Sequence, residues 1–424
     1  MQMNRLPPSS ICCRGQIGSI IVASLLLVAC SARPAIVSPT PQTSLTPLTP
    51  ASAALEAQLL VHADATQNWL VSPVSIAQAF GMVQLGAANE TASQIERSLG
   101  IAQGEPGAAF LSRQRAMLVD AGPDVTVSVE NALWVAKDFR LQPSFVAGAE
   151  RFYGASARTV DFRDPRSSSV VNHWVETATK GLIPAMLVPG DINPDTASLL
   201  TNATYFKARW SEAFRPAGRG PFTTGSGRTI DLARFQDQRS LRYLETKLYQ
   251  AISIDYGDQR RFAMELYLPK PGTSLDTARR AILEVGVETV SQDLGAAQPV
   301  EVELTVPEFE IDTRMDLGAA LRAIGLTLPF DSQRADFSRM ADRFLYIDKA
   351  LHVTRLRVDR LGTEAAAATA IAAMPSSAPP PFNGPRIVVD RPFMLAVRDT
   401  HTGAWLFTGF VVEPKSLQPQ RDKR

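Results

Sequence analysis

The order of the local patterns constrains this chain more than any single motif: helix-type spacing fills the first half and strand-type runs fill the second. Apolar positions from Leu55 to Ala65 recur at helical spacing. Ser72-Pro73 reads as an N-cap with proline at the first helical position, opening a helix over 73–86. Glu90 to Leu99, 142–154 and 165–180 keep the same period. Between them, VTVSVENALWVA at 125–136 alternates and is β-rich, which predicts a strand. Further on the pattern changes. TASLLTNATYFKARW is a long, largely apolar strand bounded by polar residues, and FAMELYLP, VEVELTVPEFEI and RIVVDRPFMLAVRD are further strands. TGAWLFTGFVVEP closes the chain after a glycine-containing turn, and 275–294 and 313–324 read as helices. No internal repeat is visible. The fold class is α+β with large antiparallel sheets.

At 424 residues, 45% hydrophobic and 20% charged, the chain can bury a large core. Its net charge of +1 and the lack of a Lys/Arg block argue against nucleic-acid binding or a polybasic membrane patch. The N-terminus reads as a targeting segment. Arg5 and Arg14 precede the apolar run IGSIIVASLLLVAC, too short for a stable spanning anchor. Its end, Leu27-Val28-Ala29-Cys30, resembles the bacterial lipobox, a small-residue cleavage site just before a cysteine that takes lipid; the alternative is an ordinary signal peptide with an incidental cysteine. Cys12, Cys13 and Cys30 are the three cysteines, so an exported body cut there holds no thiol and no disulfide. Residues 1–29 are therefore expected to be a signal peptide of lipoprotein type. Residues 30–54, rich in Pro, Ser and Thr, form a tether carrying the lipid on Cys30. The globular body spans 55–415, and 416–424 is a tail.

Catalytic chemistry is sparse. The chain has no H-E-x-x-H, no Cys/His cluster, no phosphate-binding Gly-Lys-Ser/Thr loop and no G-x-S-x-G elbow, and nothing in it implies a cofactor or a metal. Gly225-Ser226-Gly227 reads as a surface hairpin. His62 and His173 sit in helical patterns and His401 in a turn, each structural or solvated. The chain is not expected to be an enzyme.

Several blocks then line up in order. They are Asn68-Trp69-Leu70-Val71-Ser72-Pro73-Val74-Ser75-Ile76 with Gly86-Ala87 and Thr91, Asn131-Ala132-Leu133-Trp134, Tyr153-Gly154-Ala155, and Val160-Asp161-Phe162. Next come Asn172-His173-Trp174-Val175 with Thr179-Lys180-Gly181-Leu182-Ile183, and the most specific one, Asn202-Ala203-Thr204-Tyr205-Phe206-Lys207-Ala208-Arg209-Trp210. Asp336-Phe337-Ser338, Asp390-Arg391-Pro392-Phe393 and Gly403-Ala404-Trp405-Leu406-Phe407-Thr408-Gly409 complete the series. Over nearly all of 55–415 the chain resembles the serpins. The resemblance implies one domain with three β-sheets, about nine helices and an exposed reactive-centre loop at about 360–386. It implies a monomeric suicide inhibitor of serine proteases, with papain-like cysteine proteases as a further class. A protease attacks the loop, and the cut loop inserts as a new strand in the largest sheet and traps the acyl-enzyme.

The loop GTEAAAATAIAAMPSSAPPPFNGP suits such insertion. A segment entering a closed sheet needs small uncharged residues on its inward face and an N–H at every ladder position. Within the hinge Gly362, Thr363, Glu364, Ala365, Ala366, Ala367, Ala368 and Thr369, the alternate residues Thr363, Ala365, Ala367 and Thr369 are small, and Ile371 and Ala373 continue the row without charge. Glu364 falls on the other face. Family spacing from Gly362 places the reactive bond at Ser376–Ser377, with Ala373–Met374 as the alternative bond. Pro375 obstructs cleavage after Met374. No Lys or Arg occurs from 361 to 385, which favours an elastase- or subtilisin-like target over a trypsin-like one.

The resemblance also assigns control regions. Ser72, Ser75, Asn202 and His352 match the hydrogen-bonding shutter beneath the large sheet, and Trp210 matches the tryptophan at the breach where insertion begins. Two positions depart from the pattern: Arg360 stands where the family has Glu, and Glu308 where it has Lys or Arg. The expectation is one ion pair with its charges exchanged. The partners expected are a target protease and a membrane, the latter through lipid on Cys30. The protein is expected to be exported and held at the cell membrane, the outer membrane or the cell surface. A non-inhibitory serpin-fold surface binding lipoprotein is the alternative.

Overall fold

A computed structural model describes residues 49–181, 183–363 and 382–417. Its central element is a six-stranded sheet in the order Phe309–Asp316, Lys349–Asp359, Gly362–Thr363, Ser198–Arg209, Val125–Ala136, Ser156–Val160. The strand Ser198–Arg209 is buried along nearly all its length because both its faces are covered. Leu200 joins the core beneath helix Pro73–Gly86, whereas Leu199 and Ala203 join the core with Val171 and Val175 of helix Ser167–Ala178. Phe206 and Ala208, nearer its end, enter a third core shared with the second sheet.

Two neighbours in this sheet meet along only part of their length. Lys349–Asp359 pairs with Ser198–Arg209 in parallel from Lys349↔Leu199 to Thr354↔Thr204. Beyond that point they part, and Gly362–Thr363 lies between them, antiparallel to both. Thr363 pairs with Val358 on one side and Ala208 on the other; Gly362 pairs with Asp359 and Arg209. The sheet is thus open at one end and plugged by two residues.

The second sheet has nine strands, running Trp69–Val71, Trp405–Val411, Phe393–Asp399, Phe262–Pro269, Tyr249–Tyr256, Thr229–Glu245, Pro299–Pro307, Arg386–Val388, with Arg215–Thr223 also on Thr229–Glu245. The sequence reading expects three sheets. Two of them share the long strand Thr229–Glu245, which pairs with Tyr249–Tyr256 at Arg242–Glu245 and with Pro299–Pro307 over Arg234–Arg242, so their hydrogen bonding is continuous. The hairpin expected at Gly225-Ser226-Gly227 closes Arg215–Thr223 onto Thr229–Glu245.

Nine α-helices lie among the described residues. The stretch 275–294 is two helices, Leu275–Val285 and Val287–Ala296, parted by Gly286 at φ 99°, a backbone conformation that side chains disfavour. Residues 313–316 belong to strand Phe309–Asp316, and the helix begins only at Leu317, where the Asp316 side chain accepts the Gly318 N–H as a cap. RIVVDRPFMLAVRD is interrupted likewise: Arg386–Val388 and Phe393–Asp399 flank Pro392, which has no N–H for a ladder.

Candidate functional site

The four residues assigned to the shutter come together in the buried layer beneath the six-stranded sheet. Ser72 caps helix Pro73–Gly86, its hydroxyl accepting the Ser75 N–H at 3.3 Å. Its own N–H donates to His352 Nε2 at 3.1 Å. The opposite ring nitrogen, Nδ1, contacts Asn202 Oδ1. With Nε2 accepting, Nδ1 carries the proton and donates, so the imidazole is neutral. Asn202 Nδ2 donates to the Ser75 carbonyl at 3.0 Å, to the Ser75 hydroxyl, and to Asn131 Oδ1 at 2.5 Å. His352, Asn202 and Asn131 form a row across three strands by register, His352↔Asn202 and Asn202↔Asn131. The sequence places Asn131 in the block Asn131-Ala132-Leu133-Trp134 without assigning it to the shutter, because the residue that bonds it, Asn202, lies on another strand.

The row sits at the parallel contact between Ser198–Arg209 and Lys349–Asp359, which has to part for any longer strand to enter. Breaking it separates the buried His352, Asn202 and Asn131 side chains from one another. His352 is fully buried, and desolvation lowers its pKa from 6.5 to about 3. An unfolded chain binds a proton at this histidine below about pH 6.5, while the folded chain does not until about 3. The native state is therefore expected to lose up to about 1.4 kcal/mol of stability per pH unit across this window as pH falls. Glu56 and Glu265, whose carboxyls burial raises, act with the opposite sign. The test is accordingly a difference: denaturant unfolding of wild type and His352→Gln at pH 7, 6 and 5, with a shallower acid loss in the variant. Equal slopes would count against a neutral, proton-excluding histidine.

The second cluster surrounds the plug at the sheet's open end. Trp210 is buried, stacks on Tyr256 at 4.4 Å and 13°, and donates its indole N–H to the Asp359 carbonyl at 2.9 Å. The turn that brings the chain back into the sheet, 359–362, has its hydrogen-bonding groups accounted for. The Leu361 carbonyl accepts the Trp210 N–H at 2.9 Å, and the Arg360 carbonyl accepts the Phe214 N–H at 2.8 Å. Asp359 Oδ1 accepts the N–H groups of Leu361 at 2.7 Å and Gly362 at 3.2 Å. Thr363 is fully buried, with its hydroxyl 2.6 Å from that of Tyr256. Gly362 has no room for a side chain: a Cβ there would lie 2.1 Å from the Ala208 carbonyl oxygen.

The expected charge-exchanged ion pair takes a different form. Glu308 accepts a hydrogen bond from the Arg360 backbone N–H, and the Arg360 charge adds only a longer-range attraction. Burial, then the nearby Asp359 charge, push the Glu308 carboxyl above its ordinary value; burial does the same to Asp359. Two carboxylates thus cap one tight turn. This contact uses the backbone of residue 360, which is why the identity of its side chain does not reveal it. Glu364, Ala365, Ala366, Ala367, Ala368, Thr369, both reactive-bond positions (Ser376–Ser377 and Ala373–Met374) and Cys30 lie outside the described residues. Among the described residues no group of His, Cys, Asp and Glu could hold a metal ion. None of the described helices is long and apolar enough to cross a membrane.

An α+β body with a six-stranded sheet held open by the start of a loop defines a class that comparison with known proteins names. A family model described as serpin (serine protease inhibitor) matches residues 53–414. The chain belongs to the serpin family. It is 28% identical over 366 residues to glia-derived nexin of Rattus norvegicus, covering 84% of this chain and 90% of that one. Tengpin, a thermophilic serpin in its native state, superposes with a TM-score of 0.75 at 26% identity, over 86% of this chain and 93% of that one. Thyroxine-binding globulin in complex with thyroxine gives the same score and identity, over 86% and 98%.

Proposed function

We propose that this protein is an irreversible inhibitor of serine proteases that traps the acyl-enzyme by inserting its cut loop into the six-stranded sheet. The observation that carries this reading is the seated plug. Gly362 and Thr363 already pair with both strands that would flank an inserted strand, in the register that further residues would continue. The residues that would follow on the buried face, Ala365, Ala367 and Thr369, are small and uncharged. The bait is Ser376–Ser377, with Ala373–Met374 second; small residues there and the absence of Lys and Arg from 361 to 385 favour elastase- or subtilisin-like targets. Papain-like cysteine proteases form a second target class. The protein acts at a membrane surface after export, through lipid on Cys30 and the 30–54 tether, and Ser31 after that cysteine favours an outer membrane where there is one.

Likeness to thyroxine-binding globulin supports a second reading, a surface lipoprotein that binds a partner without trapping a protease. Incubation with an elastase and with subtilisin separates the two. Trapping gives an SDS-stable complex and a released peptide whose mass starts it at Ser377, or at Met374. Turnover of the loop without complex favours the second reading.

A further inference from the structure

One group holds the hinge from outside the strands that pair with it. Tyr256 ends strand Tyr249–Tyr256 of the nine-stranded sheet, and its hydroxyl reaches across to Thr363 Oγ1 at 2.6 Å, with both residues buried. The ring is fixed independently of that bond. Trp210 stacks on one face at 4.4 Å, and Phe206 meets it edge-on at 5.1 Å and 72°. The hydroxyl therefore waits at one position, and Thr363 can reach it only when residues 362–363 occupy the sheet. Withdrawing two extended residues into the sheet shortens the free loop by about 7 Å.

We infer that Tyr256 is the positioning residue of the hinge: its hydroxyl latches Thr363 into the six-stranded sheet of the uncut protein and so limits how far the reactive loop extends. Gly362, with no Cβ, and the carboxylates of Asp359 and Glu308 shape the turn that makes this seating possible. The hydroxyl pair adds a bond that the unseated hinge lacks. Loss of one such buried bond shifts the seated-to-free ratio by about five- to tenfold. The consequence at a protease rests on the inhibitory reading; the latch itself is a property of the uncut chain.

The test needs no protease. Amide exchange is followed by mass spectrometry over 355–363 in wild type, Tyr256→Phe, Thr363→Val, their combination and Thr363→Ser. Either single change should speed exchange by about five- to tenfold, and the pair should add nothing to the larger effect. Thr363→Ser, which keeps the hydroxyl, should behave as wild type. Trp210 emission, sensitive to the ring stacked on it, should shift with the same pattern. Gly362→Ala, whose added carbon meets the Ala208 carbonyl, sets the fully unseated limit. Unchanged exchange in Tyr256→Phe, simple additivity in the pair, or a wild type already at the Gly362→Ala limit would each overturn the latch. With protease added, Tyr256→Phe should associate faster by a similar factor. If wild type and every variant failed to trap a protease while the exchange pattern held, the inhibitory reading would fall and the latch would stand.

Discussion

A protein carrying Thr363→Arg should be cut by its target and release it, acting as a substrate where wild type acts as a trap. Thr363 is fully buried between Val358 and Ala208, with Tyr256 over its hydroxyl. A guanidinium at that position has no carboxylate among the contacts the structure gives Thr363, and burying such a charge unpaired costs several kcal/mol. The penalty falls on the step that competes with hydrolysis. Slowing insertion by even about 3 kcal/mol shifts that competition roughly a hundredfold toward release. The measurement is the molar ratio of inhibitor to protease required for full inhibition, together with the yield of SDS-stable complex. Wild-type yield from Thr363→Arg would mean that residue 363 need not occupy the sheet when the protease is trapped.

Much of this architecture is legible before any coordinates. The strand at 125–136 is read to the residue, because alternation and β-branched content both point one way. Helix Pro73–Gly86 is announced by its cap and its proline. Where the reading slips, a tertiary contact has overruled a local pattern. Helix Gly104–Val119 goes unassigned in the sequence reading; Gly104, Pro106 and Gly107 at its start break the helical pattern. Residues 313–316 have a helix-compatible spacing, yet they pair with Lys349–Asp359 and their last residue caps the helix that follows.

The site divides in the same way. Ser72, Ser75, Asn202 and His352 are named by motif, and the structure brings all four together. Tyr256 is not, because a tyrosine in a strand looks like an ordinary strand residue, and Asn131 falls in a matched block without being assigned to the shutter. Their significance lies in what stands opposite them across the chain, Thr363 in one case and Asn202 in the other. Arg360 shows the reverse: its side chain suggests an ion pair, and its backbone supplies the contact.

If cutting the loop lets the hinge continue past Thr363 into the sheet, the cut protein must be the more stable one. The uncut form then persists for kinetic reasons, with the His352–Asn202–Asn131 row among the contacts that must part before the sheet admits a strand. An inserted strand of about ten residues would add hydrogen bonds on both edges, each worth about 1 kcal/mol net. A gain on the order of 10 kcal/mol raises the unfolding temperature by at least about 10 °C in a chain of this size. The most direct measurement is heat denaturation of the intact protein beside the same protein cut once between 373 and 377, followed by circular dichroism with both fragments retained. A rise of that size on cutting is the predicted result. An unchanged or lower unfolding temperature would contradict insertion, and with it the proposal that this serpin traps proteases.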